Sequence, residues 1–213
     1  MTRRKRPSNY ANQVFINCPF DPQYEAVFDA LVFAVFDCGF VARCALEIDD
    51  GSQIRIEKIF SIVEQCKFGI HDLSRTDLDQ ATGLPRFNMP LELGIFLGAK
   101  RYGGDYNAEK SCLVLDIDRF RYQKFISDIA GQDIKSHENS ADKAVACVRD
   151  WLNHASGRKT VPGPDAILKR YGEYRSQLPA ICEKLQLLPH EMTFKDKAAV
   201  ASKWLQEYQE RSE

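Results

Sequence analysis

The sequence predicts an α/β fold: an open parallel sheet in strand order 2-1-3-4-5 with helices on both faces and a helical appendage at the C-terminus. Three observations predict it. Short β-rich runs alternate with amphipathic helical stretches between Gln13 and Leu152, which implies βαβ crossovers. The polar groups gather where strands hand over to helices. After Val161-Pro162-Gly163-Pro164 the β-rich pattern ceases and only helical periodicity remains.

Gln13 to Cys18 (QVFINC) reads as the first strand, and Asp21-Pro22 supplies an N-cap followed by proline at the first helical position. In the helix that follows, Tyr24, Val27, Phe28, Leu31, Val32 and Val35 form one apolar stripe, which Gly39 stops. Phe40 to Ala45 is a second strand. The acidic turn Glu47 to Gly51 comes next, and Ser52 is placed to cap a helix whose Ile56, Ile59, Phe60 and Val63 face the core. Lys67 to His71 supplies the third strand. The connection Asp72 to Phe87 is the longest polar stretch of the front half and leads into a helix that Asn88 is expected to cap and that runs to about Lys100. Ser111 to Leu115 is the fourth strand, and Phe120 to Ile129 is expected as a helix with Phe125, Ile126 and Ile129 inward. The fifth strand is placed near Gln132 to Ile134, and Ser140 caps a last core helix through Trp151 and Leu152. The winding is flavodoxin-like. Its expected bounds are a disordered basic tail over residues 1–11, the α/β domain over 12–156 and the appendage over 163–213, which carries Ala198, Ala201, Trp204, Leu205 and Tyr208 at helical spacing.

A chain of 213 residues with 44% hydrophobic content holds one full α/β core plus an appendage. Its 29 basic and 30 acidic side chains leave a net charge of -1, so no global field favours nucleic acid or a membrane surface. The basic run Arg3 to Arg6 precedes Pro7 without an apolar stretch behind it and does not read as a secretory signal. No segment reaches the roughly 20 apolar residues of a membrane span. Seven cysteines stand singly among apolar neighbours, which points to reduced thiols in the cytoplasm and to no metal site.

In a sheet of this order the crevice opens at the carboxyl ends of strands one and three. Asn17, Cys18, Pro19, Phe20 and Asp21 follow the first of these strands, Asp72, Ser74 and Arg75 follow the other, and Asn88 and Glu92 open the next helix. Near a helix start, Glu92 is expected to be ionised by the helix dipole, as a nucleophile or cation stabiliser would need to be. A plain complement to the dipole is the alternative, but the surrounding LELGIFL is otherwise apolar, so a carboxylate there needs a partner or a pocket. Arg75 is suited equally to a phosphate and to a surface carboxylate. Asp49 and Asp50 are suited to holding a ribose or to solvating a turn with Gly51, the turn being favoured, and Gly103-Gly104 reads as a connection. A Cys18–His71 dyad is disfavoured, because alternation along a strand sends His71 and Asp72 to opposite faces.

Val14 to Phe20 (VFINCPF), His71 to Arg75 (HDLSR) and Asn88 to Gly94 (NMPLELG) together resemble the three motif blocks of the nucleoside 2-deoxyribosyltransferase-like and TIR-like superfamily, over roughly the first 115 residues. The resemblance implies that Glu92 is the catalytic glutamate, that Asp72 is a carboxylate near the sugar or leaving group, and that Asn17 and Phe20 belong to the nucleotide pocket. Ser74, Arg75 and Asn88 complete the expected substrate-binding set. The implied activity is cleavage of an N-ribosyl bond, with NAD as a substrate rather than a cofactor. Asn88 stands where the transferases tend to carry an acid, and Pro90 lies in the first turn, which favours a glycohydrolase over a deoxyribosyltransferase. The remaining alternative is a non-catalytic module that senses a nucleotide or assembles into a homo-oligomer.

Overall fold

The computed structural model describes residues 5–78, 83–104, 106–158 and 160–211. Five strands, β1 (Gln13–Asn17), β2 (Val41–Arg43), β3 (Phe68–Asp72), β4 (Ser111–Asp116) and β5 (Lys135–Ser136), form one all-parallel sheet in the order β2-β1-β3-β4-β5. Helices α2 (Arg55–Gln65) and α3 (Asn88–Tyr102) cover one face, and α1 (Glu25–Asp37) and α4 (Ala141–Ala155) the other. The appendage is two helices, α5 (Pro164–Lys184) and α6 (Phe194–Glu210), which pack outside α1. Among the described residues no helix is long and apolar enough to cross a membrane.

Helix α1 explains the layering. Its sequence, EAVFDALVFAVFD, carries more than one apolar stripe, and Val27, Phe28 and every residue from Ala30 to Val35 are buried. A helix apolar all round must be covered all round. The sheet takes one side of it, and Tyr174 and Trp204 take the other through Phe33, at ring-centroid distances of 5.1 and 6.0 Å. Arg170 Nε binds both oxygens of Asp37 at 3.1 and 2.9 Å, and Lys197 Nζ reaches Glu25 and Asp29 at 2.8 Å each, so both ends of α1 are pinned to the appendage. Gly39, at φ +78°, ends the helix, with its N–H donating to the Phe36 carbonyl and that of Phe40 to Val35. A side chain there would meet Arg158 Nη1 at 2.6 Å, because that guanidinium donates to the carbonyls of Cys38 and Gly39.

Several expected boundaries shift for physical reasons. Ser52 does not cap α2: its N–H and hydroxyl both donate to Asp50 Oδ1, a local turn that outcompetes the cap, and the helix starts at Arg55 behind Ile54. Asn88 is the first residue inside α3, and Phe87 occupies the cap position. Phe120 to Ile129 is not one helix but two short 3-10 turns, Arg121–Lys124 and Ser127–Ile129. Arg121 ties this segment to the strand ends through Asp116 Oδ1 at 2.9 Å and the Leu73 carbonyl at 2.6 Å, and so short a stretch gains little from helical nucleation. Phe125, Ile126 and Ile129 still pack inward. The fifth strand lies at Lys135–Ser136, just beyond the expected place: these two residues pair with Leu115 and Asp116, while the N–H of Ile134 donates back to the Gln132 carbonyl. Ser140 caps α4 as expected, accepting from Lys143 N–H. At the N-terminus, residues 1–4 of the expected tail lie outside the described residues. Its inner end is not frayed: Tyr10 is fully buried and its hydroxyl donates to the Tyr106 carbonyl at 3.0 Å.

Candidate functional site

The strand ends carry polar side chains of two orientations. Asn17 stands in register with His71, so both point to the face covered by α3, while Asp72 turns to the face of α1 and α4. Asn17 Nδ2 donates to the Met89 carbonyl in the first turn of α3 at 2.9 Å and to His71 Nδ1 at 3.0 Å. That bond makes Nδ1 of His71 the acceptor and leaves Nε2 with the proton and no hydrogen-bond partner, between the rings of Phe15 and Phe96. Burial pushes the His71 imidazole down to about 3, so it is neutral. Burial also raises the Cys18 thiol well above its usual range, and neither half of a cysteine–histidine dyad is present in reactive form.

Asp72 is fully buried, and both of its oxygens are occupied. Oδ1 accepts from the Ser74 N–H at 2.8 Å and from the Ser74 hydroxyl, and Oδ2 accepts from the Tyr24 hydroxyl at 2.6 Å. His137 Nε2 stands 3.0 Å from Oδ2 but off the axis of a good hydrogen bond. Burial is the largest influence and would raise this carboxyl, yet the contacts from His137, Ser74 and Tyr24 outweigh it and hold it below the ordinary carboxylate range. Asp72 thus joins β3 to α1 and to the turn before α4, on the opposite face from Asn17, rather than lining one crevice with it.

Glu92 lies in the second turn of α3, not the first, where the pull of the dipole has faded. It is 5% exposed and makes no hydrogen bond or ion pair among the described residues. Burial raises its carboxyl from the ordinary 4.5 to about 7, against a smaller opposing pull from Arg55. The ionised state expected from the helix start is therefore replaced by a carboxyl balanced between its two forms at neutral pH. Its charge is felt by Cys18 and Cys44, the residues before Pro19 and Ala45. Pro19, Ala45 and Arg55 all line a cavity of about 610 Å³ beyond the ends of β1 and β2. The opening thus lies on the β1–β2 side of the switch point, and Glu92 is not among the residues that line it.

Of the other expected residues, Phe20 lines this cavity and is 38% exposed. Ser74 serves Asp72. Arg75 donates to Gln23 Oε1 at 2.6 Å and stands 3.6 Å from Asp21, so it has the carboxylate partner of its surface reading. Asn88 is exposed at the start of α3. Asp50 serves its turn, whereas Asp49 lines the cavity. The residues that sequence reasoning missed are Arg55, Met192 and Phe194 in the lining, and His137 beside Asp72. Thr193 and Asp196 form a capping box at the start of α6, and no local pattern shows that this helix reaches the strand ends. Among the described residues no group of three or more histidine, cysteine or acidic side chains is placed to hold a metal ion. No family model matches the chain, and no curated protein matches it.

Proposed function

We propose that the protein cleaves the N-glycosidic bond of a nucleotide, with Glu92 as the carboxyl group at the ribosyl carbon. The observation that carries this reading is Glu92 itself: an acid 5% exposed, without a hydrogen-bond partner among the described residues, at the carboxyl edge of a parallel sheet. A carboxyl largely withdrawn from water with no protein partner holds its proton more tightly than an exposed one, and such groups cluster at sites where chemistry uses them. The resemblance of the three motif blocks points to the same residue.

The chemistry fits. As the bond from the ribosyl carbon to the base nitrogen breaks, its electron pair leaves with the base and the sugar becomes cationic. A carboxylate held in a water-poor site stabilises that cation until the oxygen of water adds to the carbon and loses a proton. NAD brings its own positive charge on the pyridinium ring and releases neutral nicotinamide, so it needs Glu92 ionised, and its charge draws the proton off. A nucleoside base needs a proton to leave, and Glu92 in its protonated form would supply it. Asp72, held ionised with its oxygens occupied, is a poor second acid, so a nucleoside would need Glu92 as both proton donor and cation stabiliser, whereas NAD needs only its ionised form; this supports an NAD-like substrate and gives Asp72 a positioning role. Free thiols throughout the chain fit the cytoplasm.

The covering of Glu92 favours a second reading, a module that binds nucleotide, alone or as an assembly of like domains, without turnover. Base release by the purified protein, at low and high protein concentration, separates the two. With NAD, kcat/KM is expected to rise with pH through about 7 and level off; with a nucleoside it is expected to fall above that value. Nucleotide binding without release of base at any pH or concentration would favour the binding module.

A further inference from the structure

The geometry points to helix α6, outside the α/β unit, as a wall of the ligand site, with Phe194 selecting an aromatic base; this rests on the reading of a nucleotide ligand. The cavity of about 610 Å³ is bounded on one side by the strand ends and on another by Met192, Thr193, Phe194 and Lys197. Its volume falls within the roughly 300–1,000 Å³ of small-molecule sites. The apolar part of the lining combines Pro19, Ala45, Leu46 and Ile48 with an aromatic row, in which Phe20 is half-exposed and Phe28 and Phe194 present only an edge. Phe20 and Phe28 meet edge to face at 5.3 Å between ring centroids, and Phe28 and Phe194 lie 6.1 Å apart.

The same lining carries Arg55, which is exposed and makes no hydrogen bond or ion pair among the described residues. Lys58, by contrast, donates to the carbonyls of Ile48 and Asp50. Of the acids in the same lining, Asp21 is paired with Arg75 and Arg86 and Glu25 with Lys197, while Asp49 has no such partner among the described residues. An aromatic row with one free guanidinium and one free carboxylate matches a flat ring joined through a hydroxyl-bearing sugar to a phosphate, the chemistry of a mononucleotide or of half a dinucleotide. The wall is also fixed in place. Thr193 and Asp196 cap α6 reciprocally, and Lys197 binds Glu25 and Asp29 on α1 at 2.8 Å each, so the first turn of α6 cannot swing away without breaking these pairs.

Calorimetric titration with adenosine monophosphate and with ribose 5-phosphate tests the proposal on the full chain, with the titrated samples assayed for free adenine so that binding is read apart from any cleavage. The wild type is expected to bind the nucleotide at least about tenfold more tightly than the sugar phosphate, the range of one base stacked on an aromatic ring. Phe194→Leu is expected to lose most of that difference while leaving the sugar phosphate unaffected, and Arg55→Gln is expected to weaken both probes. A Phe194→Leu protein that melts like the wild type and binds the nucleotide equally well would overturn the proposal, as would a wild type that binds both probes alike. If Phe194→Leu does not fold, photolabelling of the wild type with azido-adenosine monophosphate decides. Label on the peptide spanning Met192 to Lys197 supports the wall, and label confined elsewhere overturns it. Tight binding at α6 without release of base from NAD would refute only the cleavage reading, and release of base with no role for Phe194 would refute only this one.

Discussion

Glu92 and Asp72 are both buried carboxyls at the sheet's edge, and their surroundings push them in opposite directions. For Glu92 the folded protein holds the proton more tightly than the unfolded chain does, so stability declines as pH rises from about 4.5 to about 7 and is constant beyond. At about 1.4 kcal/mol per pH unit this amounts to roughly 3 kcal/mol at pH 8. For Asp72 the sign reverses: its contribution is present above the ordinary value of 3.8 and is lost as pH falls through the lower folded value. Asp72→Ala, which leaves the Tyr24 hydroxyl and the Ser74 N–H without their acceptor, is expected to cost about 3–5 kcal/mol in a urea melt at neutral pH. The deficit of Asp72→Asn relative to wild type should narrow below about pH 4. An unchanged midpoint in Asp72→Ala would show that this network holds nothing. At this scale the sequence marks which polar residues stand at strand ends, and alternation sends His71 and Asp72 to opposite faces as observed, but it does not show what each one meets there. One step along β3 separates His71 from Asp72, and the protonation of each group depends on neighbours far away in the chain.

At the scale of elements, the strands and the switch point were legible because alternation and helical periodicity are local signals. The helix α1 was legible in place but not in role. Its stripe predicted one buried side, whereas its excess of apolar residues is matched only by α5 and α6 on the other. The segment from Phe120 to Ile129 shows the reverse failure, in which helical spacing of Phe125, Ile126 and Ile129 is met by two 3-10 turns because Arg121 anchors the chain to Asp116 and Leu73. A chain ending at Val161 removes Tyr174, Phe194 and Trp204 from α1 and exposes Phe33. It is expected to aggregate, or to melt at least about 10 °C lower in a thermal scan, as the loss of several kcal/mol implies. A shortened chain that stays monodisperse with the same melting temperature would show that the appendage covers nothing of importance.

Seen whole, the molecule joins a flavodoxin-like sheet and a two-helix appendage through a shared core, and the cavity lies where the two meet, beyond the ends of β1 and β2. The crevice was expected between β1 and β3, where the strand order reverses. Its displacement toward β2 was not legible, because α6 arrives from more than a hundred residues downstream of the strands whose ends it faces. This layout buries an acid without a protein partner in the helix that follows β3 and accepts the loss of stability that goes with it. Glu92→Gln tests that claim most directly, with thermal melting and release of nicotinamide from NAD measured side by side at pH 8. The account predicts a variant that melts higher than the wild type, by the few kcal/mol that burial of the charge costs, and that releases base at least about a hundredfold more slowly. A variant that melts no higher and cleaves at the wild-type rate would contradict it, since Glu92 would then be neither the strained group nor the catalytic one.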